Sequence, residues 1–517
     1  MKIGDWLTRL SYELVQGSLD ASVEEVIYDS RKAKENTVFV CIKGSVRDSH
    51  DFIPEVLEKG CKILVVEKEV EVPADVTVIK VENGRLALAE LSAARFDYPA
   101  EKLVTIGITG TKGKTTTSYM IKTILEAVGK KTGLIGTNGA VIGDEKIPTA
   151  NTTPESYVVQ EFFAKMVETG CECVVMEVSS QALMLHRVGG ITFDYGLFTN
   201  ISPDHIGPNE HESFEEYLQY KSKMLQVCKT GVANVNMDHY EEIVEHATCK
   251  LYTYGLDTDA DFRGDKLHFV NEHDFVGVEF HAHGDLGGKV RVGMPGRFNA
   301  DNALAALSVC TLAVAQMPEH VDTFDEKPEL KASVKRKLLH ALEGIRVDGR
   351  MEIAHVSPIC SVIIDYAHNA MSMESLLDTL RDYNPKRLVC VFGCGGNRAK
   401  DRRYSMGEIG GKMADLCVIT ADNPRFEKNE DIIKDIEIGL AKTEGKYIVI
   451  PDRREAIFSA IHNAEDGDMV AIIGKGHEDY QEIKGKKYHM DERELIREVL
   501  EEEDVTQICG YNNRYFA

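Results

Sequence analysis

The segment Gly110-Thr-Lys-Gly-Lys-Thr-Thr116 has the residue types that bind the phosphates of a nucleotide. Glycines let backbone N–H groups approach phosphate oxygens, and the start of a helix favours an anion. The Lys114 ammonium can reach the terminal phosphates, and the Thr115 hydroxyl can hold Mg²⁺. Ile108 stands where the strict P-loop pattern has its first glycine, so we interpret the segment as a shortened variant of that loop.

The residues on both sides of this glycine-rich loop have the patterns of the two elements that must hold it. Residues 104–109 are apolar and β-branched, which predicts a buried strand, and residues 118–125 have helical spacing. Without Lys114 and Thr115 the glycines could form a turn that binds nothing. With these two residues placed between a strand and a helix, nucleotide binding is the favoured hypothesis.

A carboxylate lies near the end of a second predicted strand, Cys173-Val-Val-Met-Glu-Val178. Ligands of parallel α/β sheets bind at the carboxyl ends of the strands, and both the loop and Glu177 fall at such ends. Glu177 could complete a Mg²⁺ shell, or it could be a solvated acid at the end of a strand. The residues alone leave both interpretations open.

Strands and helical segments alternate along most of the chain, which predicts an α/β fold with largely parallel sheets. We expect three domains: a small α/β domain at 1–100, a central P-loop-type doubly wound sheet at 101–342, and a Rossmann-like C-terminal domain at 343–517. Residues 99–102 are a candidate linker. The predicted strands comprise residues 38–42, 62–66, 173–178, 195–199, 231–235, 362–365, 388–392, 416–420, 447–450 and 469–473.

The composition of the 517 residues, 43% hydrophobic and 28% charged, is typical of a globular protein. The net charge of −24 argues against a general nucleic-acid binder, which would need a basic face. We find no long apolar segment at the N-terminus and no apolar run long enough to span a bilayer, so we expect a cytoplasmic protein without a membrane partner. The twelve cysteines include no Cys-x-x-Cys pair, and we interpret Cys171 and Cys173 as reduced core thiols rather than zinc ligands.

Five motifs, taken in chain order, resemble those of the Mur ligases, ATP-dependent enzymes that form amide bonds in peptidoglycan assembly. They are Gly110-Thr-Lys-Gly-Lys-Thr-Thr116, Met176-Glu-Val-Ser-Ser180, Asn200-Ile-Ser-Pro-Asp-His205, Phe298-Asn-Ala-Asp-Asn302 and Asp365-Tyr-Ala-His368. Four more are similar to motifs of the members that add the third residue of the stem peptide: Asn151-Thr-Thr-Pro154, Phe392-Gly-Cys-Gly-Gly396, Asp422-Asn-Pro-Arg425 and Gly474-Lys-Gly-His-Glu-Asp-Tyr-Gln481. The resemblance covers nearly the whole chain. It implies a first domain that binds a UDP-sugar, a middle domain that binds ATP and a third that receives the amino acid.

The resemblance also implies which residues bind the nucleotide and the metal ions. Those expected to bind ATP are Gly110, Thr111, Gly113, Lys114, Thr115, Thr116, Asn299, Asn302, Arg350 and His368. The expected catalytic residues are Lys114, Glu177, His205 and Lys221. The expected Mg²⁺ ligands are Thr115, Glu177, His205 and Lys221, the last as a lysine carbamylated by CO₂. Lys221 could instead be an ordinary surface lysine like Lys223, and segment 204–211 is longer than its counterpart in the family.

Two groups of substrate contacts follow from the same resemblance. The UDP-sugar side comprises Ser30, Asn151, Thr152, Thr153, Ser179 and Arg187. The amino-acid side comprises Arg398, Asp422, Asn423, Arg425, Gly474 and Glu478. Arg425 is expected to select meso-diaminopimelate, because this substrate has a distal carboxylate that lysine lacks and a guanidinium can bind it bidentately. Glu478 could bind the distal ammonium.

The reaction that the resemblance implies joins meso-diaminopimelate to UDP-N-acetylmuramoyl-L-alanyl-D-glutamate through an acyl phosphate. We expect a monomer that acts on small-molecule substrates. One alternative is the ligase that adds L-lysine at the same step. Another is a paralogue that binds nucleotide without catalysis, although intact Lys114, Thr115 and Glu177 argue against it. A folate polyglutamate ligase would share the ATP core but not the motifs of the third domain.

Overall fold

The computed structural model describes residues 1–44, 47–204, 206–207, 210–272, 274–324, 327–357 and 359–509. The chain forms two compact units. The first comprises residues 1–265, 282–287 and 302–341, and the second comprises residues 266–281, 288–301 and 342–517. The first unit contains the predicted first domain and most of the predicted middle domain, and the boundaries expected at residues 100 and 342 stay a prediction.

The first hundred residues of the first unit form a small α/β sheet. Its elements are α1 (Ile3–Trp6), β1 (Glu13–Gln16), β2 (Glu25–Ile27), β3 (Thr37–Val40), α2 (Ile53–Glu58), β4 (Ile63–Val66), β5 (Thr77–Lys80) and α3 (Gly84–Arg95), with 3₁₀ turns at Ser30–Lys32, Ser49–Phe52 and Pro99–Lys102. The strand order is β1-β5-β4-β3-β2, and only β1 is antiparallel to its neighbour. Val38 and Val40 pack into one core and Phe39 into another, so β3 is buried on both faces and reads as one apolar run.

The rest of the first unit is built on a larger sheet. Its elements are β6 (Val104–Thr109), α4 (Lys114–Ala127), β7 (Thr132–Gly136), β8 (Gly139–Ile142), β9 (Glu145–Ile147), α5 (Ser156–Glu168), β10 (Cys173–Glu177), α6 (Ser180–Met184), β11 (Phe193–Phe198), α7 (Phe214–Ser222), a 3₁₀ turn at Lys223–Leu225, β12 (Cys228–Asn234), α8 (Tyr240–Val244) and β13 (Lys250–Leu256). The strand order is β13-β12-β11-β6-β10-β7-β8-β9, parallel from β13 to β7 and antiparallel from β7 to β9.

The position of β6 within this sheet fixes where the loop and the acid meet. β6 lies between β10 and β11, and Glu177 at the end of β10 is in register with Ile108 of β6. The glycine-rich loop therefore leaves the sheet beside Glu177, at the carboxyl ends of two adjacent parallel strands. This edge is where ligands of such sheets bind.

The next elements along the chain are β14 (Phe262–Glu272), β15 (Phe275–Ala282), β16 (Gly288–Val292), α9 (Arg297–Ala315), a 3₁₀ turn at Pro318–His320, β17 (Val321–Phe324), β18 (Lys327–Leu330) and α10 (Ala332–His340).

The long apolar helix α9 corrects one expectation. The sequence showed us no run long enough to span a bilayer, yet α9 has 19 residues and a mean hydropathy of 1.3 over its apolar window. Because 78% of that window is buried, α9 has the character of a core helix and is weak evidence for a membrane span.

The second unit contains a third sheet. Its elements are β19 (Glu352–Val356), β20 (Cys360–Asp365), α11 (Ala370–Arg381), β21 (Arg387–Phe392), α12 (Lys400–Met413), β22 (Leu416–Ile419), α13 (Asn429–Leu440), β23 (Tyr447–Val449), α14 (Arg453–His462), β24 (Asp468–Ile473), β25 (Tyr480–Ile483), β26 (Lys486–His489) and α15 (Glu492–Cys509). The order is β19-β20-β24-β21-β22-β23, and only β19 is antiparallel to its neighbour. β25 and β26 form a separate hairpin.

The predicted α/β class with largely parallel sheets is confirmed. The strand predicted at 104–109 and the ten other predicted strands all coincide with observed strands to within a few residues at each end. Cys171 and Cys173 are both buried, and burial raises the pKa of the Cys173 thiol to about 12. A thiol held protonated in this way behaves as a core side chain, in agreement with the interpretation from the sequence.

Candidate active site

The glycine-rich loop connects β6 to α4, as its pattern predicts. Gly113 caps the start of α4 with a φ of 82°, a left-handed conformation that favours glycine. The side-chain amide of Asn302 lies against Gly113, where a Cβ would collide with its oxygen. The structure therefore brings Asn302, one of the expected nucleotide contacts, to the loop.

Two lysine ammonium groups converge on one carbonyl of this loop. Lys114 Nζ donates to Gly110 O at 2.7 Å and to Thr111 O at 3.0 Å. Lys221 is almost completely buried, and its Nζ donates to the same Gly110 O at 2.8 Å. Burial, and then the nearby Lys114 charge, hold the pKa of Lys221 well below its usual value. Lys221 therefore holds its proton less firmly than an exposed lysine does, and an anion bound beside the two amines would favour their charged forms.

Glu177 forms the centre of a second buried cluster at the same edge of the sheet. It is fully buried, and its Oε2 accepts from the hydroxyls of Thr115 and Thr137, each at 3.1 Å. Its Oε1 accepts from the Thr137 N–H at 2.9 Å. A Cβ on Gly136 would collide with this carboxylate, which explains the glycine at the end of β7. Glu177 is thus held in place by neutral donors.

The Thr115 hydroxyl and the Glu177 carboxylate fit a Mg²⁺ ion. Both offer the hard oxygen atoms that Mg²⁺ prefers, and they already lie within hydrogen-bond distance of each other. A buried carboxylate that is bonded only to neutral groups is stabilised further by a bound cation. Of the interpretations that the sequence left open for Glu177, a solvated acid is inconsistent with its burial.

Thr137 joins this cluster to the expected UDP-sugar contacts. Its hydroxyl lies 3.1 Å from the Thr152 hydroxyl as well as bonding Glu177. Thr153 is buried, donates from its hydroxyl to Glu177 O at 2.9 Å and accepts from Ser179 N at 3.1 Å. Thr137 was not among the predicted residues, although its place directly after β7, beside the end of β10, is the signal that could have identified it.

The remaining UDP-sugar residues lie in different surroundings. Arg187 donates to Thr153 O and to Glu155, both at 3.1 Å, whereas Asn151 is exposed. Ser30 begins a 3₁₀ turn, and its carbonyl accepts from Lys59 Nζ at 3.0 Å. The roles predicted for these residues in UDP-sugar binding stay predictions.

The expected second-metal histidine, His205, lies outside the described residues. His211, at the other end of the long segment, is fully buried, and its Nε2 lies 2.8 Å from the Ser180 hydroxyl. Its ring also packs edge-on against Tyr217, whose hydroxyl lies 3.0 Å from that of Thr111. The end of the extended segment is therefore anchored beside the Met176–Ser180 motif and the loop.

In the second unit, the specificity candidate Arg425 is held in a strained backbone conformation. Its φ is 51°, which a non-glycine residue rarely adopts. The backbone is held by the β25–β26 hairpin, since Arg425 N donates to Glu482 O at 3.0 Å and Lys484 N donates to Arg425 O at 2.6 Å. The guanidinium Nε donates to Glu482 Oε2 at 3.1 Å, and Nη1 donates to Gly396 O at 2.8 Å.

Asn423 and Glu478, two further amino-acid-site candidates, are bonded to each other. Asn423 Nδ2 donates to Glu478 Oε2 at 2.8 Å. Lys475, which the sequence analysis did not single out, donates to both residues at 3.2 Å. Gly474 has a φ of 116° and lies against the Asp422 carboxylate, 2.9 Å from where a Cβ would stand. The structure therefore brings four predicted residues together and adds Lys475 and Glu482.

Other predicted residues of the second unit lie in separate places. Arg350 stacks over the Tyr366 ring at 5.5 Å, and the His368 ring lies 4.7 Å from the same ring. Asn299 is fully buried and donates to Pro295 O at 2.7 Å. Arg398 is exposed, and its stem lies near Gly395.

Comparison with known proteins agrees with this arrangement. Three family descriptions match the chain: "Mur ligase family, catalytic domain" at residues 22–96, "Mur ligase middle domain" at 108–310 and "Mur ligase, glutamate ligase domain" at 349–476. A curated protein of Clostridium acetobutylicum is 38% identical over 508 residues, which cover 97% of this chain and 100% of that protein. The chain belongs to the Mur ligase family. The resemblance drawn from the motifs is therefore confirmed.

Two curated relatives of this Mur ligase and one solved structure are named as ligases of the same substrates. The Clostridium acetobutylicum protein is named UDP-N-acetylmuramoyl-L-alanyl-D-glutamate–2,6-diaminopimelate ligase 1. A Caldanaerobacter subterraneus protein, 38% identical over 506 residues that cover 98% of this chain and 100% of its own, is named as a ligase of the same substrates. A solved structure with that enzyme name superimposes with a TM-score of 0.74 and 25% identity, covering 98% of this chain and 99% of the other. A Thermotoga maritima MurF ligase solved with ADP, 18% identical with a TM-score of 0.53 and coverage of 94% and 99%, shares the fold.

Proposed function

We propose that this Mur ligase adds meso-diaminopimelate to UDP-N-acetylmuramoyl-L-alanyl-D-glutamate, with ATP as the source of energy, in peptidoglycan biosynthesis. The observation that carries the proposal is a linked set of contacts in the second unit: Asn423 bonds Glu478, and Arg425 bonds Glu482, whose backbone N–H donates to Asn423. The distal end of meso-diaminopimelate carries a carboxylate and an ammonium, so a guanidinium and a carboxylate match both charges. Lysine offers only the ammonium. The names of the full-length relatives support the same substrates.

The first step brings two anions together. The carboxylate of the UDP-dipeptide attacks the γ-phosphate of ATP, a carboxylate oxygen–phosphorus bond forms, and ADP leaves. The protein must offset the repulsion between the anions. Lys114 would do so from the loop, where its ammonium lies at the carbonyls of Gly110 and Thr111. Mg²⁺ held by Thr115 and Glu177 would supply further positive charge when bound.

In the second step, the amine of the incoming amino acid attacks the acyl carbon. A carbon–nitrogen bond forms, phosphate leaves, and the amine loses a proton. The residues of the second unit would position that amine by holding the far end of the amino acid, so that orientation rather than acid–base chemistry is their contribution. In the first unit, Thr137 would connect the ATP–Mg²⁺ site to the UDP-sugar site, because its hydroxyl contacts both Glu177 and Thr152.

We include in the proposal that the protein acts as a cytoplasmic monomer on small molecules, without a membrane or nucleic-acid partner. The net charge of −24 supports the last point, because a nucleic-acid binder needs a basic face.

An amino-acid panel tests the substrate. With ATP, Mg²⁺ and the UDP-dipeptide present, we expect phosphate release with meso-diaminopimelate to exceed that with L-lysine by about 100-fold in kcat/KM, the value of one lost charge-assisted bidentate contact. Coupled phosphate assay and mass analysis of the UDP-tripeptide measure both. Equal turnover with lysine would refute the selectivity, and absence of turnover with every amino acid would favour the non-catalytic alternative.

Carbamylation of Lys221 is a separate expectation. Burial and the Lys114 charge lower the pKa of Lys221, which favours its unprotonated amine; that amine can attack CO₂ so that a nitrogen–carbon bond forms and a proton is released to solvent. The carbamate formed would place a negative charge beside Lys114. We expect activity to fall at least about tenfold in CO₂-depleted buffer and to recover with bicarbonate, as a lost metal ligand would require.

Labelled bicarbonate provides the direct measurement. We expect a carbamate resonance in the wild type, its absence in Lys221→Arg, and its retention in the matched control Lys223→Arg, whose lysine stacks on the Tyr220 ring. A wild-type activity that is indifferent to bicarbonate, together with no carbamate signal, would overturn the expectation.

A further inference from the structure

Lys475 is an unusual side chain in the second unit because its ammonium group is entirely buried. The residue follows β24 directly after Gly474, and its exposed fraction is 0%. Removing an ammonium group from water costs several kcal/mol unless partners compensate it. Its partners are Asn423 Oδ1 and Glu478 Oε2, both at 3.2 Å, and its Nζ also lies 5.4 Å from the centre of the Tyr480 ring.

The first consequence of this placement concerns Asn423. Its Oδ1 accepts from Lys475 Nζ at 3.2 Å and from Glu482 N at 2.8 Å. Two donors on one atom require that atom to be the amide oxygen, so the amide orientation is fixed by its neighbours. The Asn423 Nδ2 group then points to Glu478 and donates to its Oε2 at 2.8 Å.

The second consequence concerns Glu478. Its Oε2 receives both the Lys475 ammonium and the Asn423 amide. Within the part of the chain that the structure describes, its other oxygen, Oε1, has no hydrogen-bond partner in the network of Lys475 and Asn423. The side chain is only 16% exposed, so it has little freedom to turn. One oxygen is fixed by the protein and the other is left to a ligand.

We propose that Lys475 is a positioning residue of the amino-acid site, acting through Glu478 and Asn423 on recognition of the substrate's distal ammonium. This inference rests on the proposed function. Lys475 compensates part of the Glu478 charge and fixes which oxygen faces the ligand. Without Lys475 the Glu478 carboxylate would be buried beside a single neutral donor and would turn towards solvent. Its contact with the substrate's distal ammonium would then weaken.

The test is a double-mutant cycle between Lys475→Met and Glu478→Gln. Methionine keeps much of the buried stem and removes the ammonium. We expect Lys475→Met to raise KM for meso-diaminopimelate about tenfold or more, as the loss of a charge-assisted contact predicts, with kcat and the KM values for ATP and the UDP-dipeptide little changed. In the double variant the loss should be no greater than in Glu478→Gln alone, because both changes act on one contact.

Two controls keep the outcomes distinct. Lys487 lies 3.7 Å from the centre of the same Tyr480 ring but is exposed, so Lys487→Met should leave every KM unchanged. If Lys475→Met folds poorly, the double variant removes the unpaired carboxylate, and its comparison with Glu478→Gln still decides. If the effects of the two substitutions on KM add in the double variant, the proposed role of Lys475 is wrong, while the proposed function of the protein stands. A wild type that does not use meso-diaminopimelate would overturn the proposed function, and this inference with it.

Discussion

Replacing Lys114 by alanine is expected to lower kcat for ATP-dependent phosphate release about 1,000-fold, the upper range for removing one group that stabilises transition-state charge. The physical reason is the meeting of two anions in a partly buried site. Lys114 is the loop lysine whose ammonium is directed at the Gly110 and Thr111 carbonyls, while Lys221 is buried and its pKa is lowered by burial and by the Lys114 charge. Lys221 Nζ also donates to Gly110 O, but Lys221 lies on α7 and not on the loop.

The matched control is Lys112→Ala. Lys112 lies two positions away on the same loop, its side chain is exposed, and its backbone N–H donates to the Asn200 side chain at 2.9 Å whatever side chain it carries. Its activity should stay near that of the wild type. Steady-state kinetics with saturating Mg²⁺ and thermal unfolding of all three proteins measure the effect. If Lys114→Ala kept more than a tenth of the activity while unfolding at the same temperature, the assignment of Lys114 would be wrong.

The loop and its acid could be predicted because local sequence determines them. An apolar β-branched run, a glycine-rich turn and a helix start produce the same strand, loop and helix wherever they occur. Glu177 follows from one further rule, that adjacent parallel strands place their carboxyl ends together. The burial of Glu177, which argues against a solvated acid, could not be predicted, because it depends on Thr137 and Gly136 from another strand end.

The residues that the sequence analysis missed share a different property. Thr137, Lys475 and Glu482 act through contacts with side chains 40, 52 and 57 positions away, respectively, and no local pattern marks such contacts. Lys475 lies within the motif at residues 474–481, but a lysine in a glycine-rich turn is usually an exposed charge. Its complete burial and its bonds to Asn423 and Glu478 are the observations that point to the proposed role.

The two units also divide the energetic work. In the first unit, the side-chain amines of Lys114 and Lys221 converge on Gly110 O, and the proposed function uses them to favour an anion whichever amino acid follows. In the second unit, the contacts of Arg425 and Glu478 are already made with the protein's own groups, so they are set in position before a substrate arrives. Prior ordering of this kind reduces the entropy lost on binding and improves selectivity.

Replacing Arg425 by alanine is expected to lower kcat/KM for meso-diaminopimelate about 100-fold, the equivalent of about 2.8 kcal/mol for a lost bidentate ion pair. The guanidinium plane is fixed by Glu482 and by Gly396 O, which occupy Nε and one proton of Nη1. A carboxylate from the substrate can therefore be received by the remaining protons of Nη1 and Nη2. Lysine has no distal carboxylate, so the low turnover with lysine should change little, and the selectivity between the two amino acids should collapse.

A conservative variant of Arg425 and a matched control decide whether binding needs the planar pair of guanidinium donors or only the positive charge. Arg425→Lys keeps the charge but not the planar pair of donors, and it should recover no more than about tenfold of the loss. Arg454→Ala removes an exposed arginine of the same unit whose ion pair with Glu498, at 2.6 Å, lies outside the site, and its kinetics should match the wild type. The backbone of Arg425 is strained, so a substitution there can change stability as well as binding. The kinetic comparison therefore uses only variants that unfold at the same temperature as the wild type. An equal fall with both amino acids would show that Arg425 supports the hairpin rather than reading the substrate.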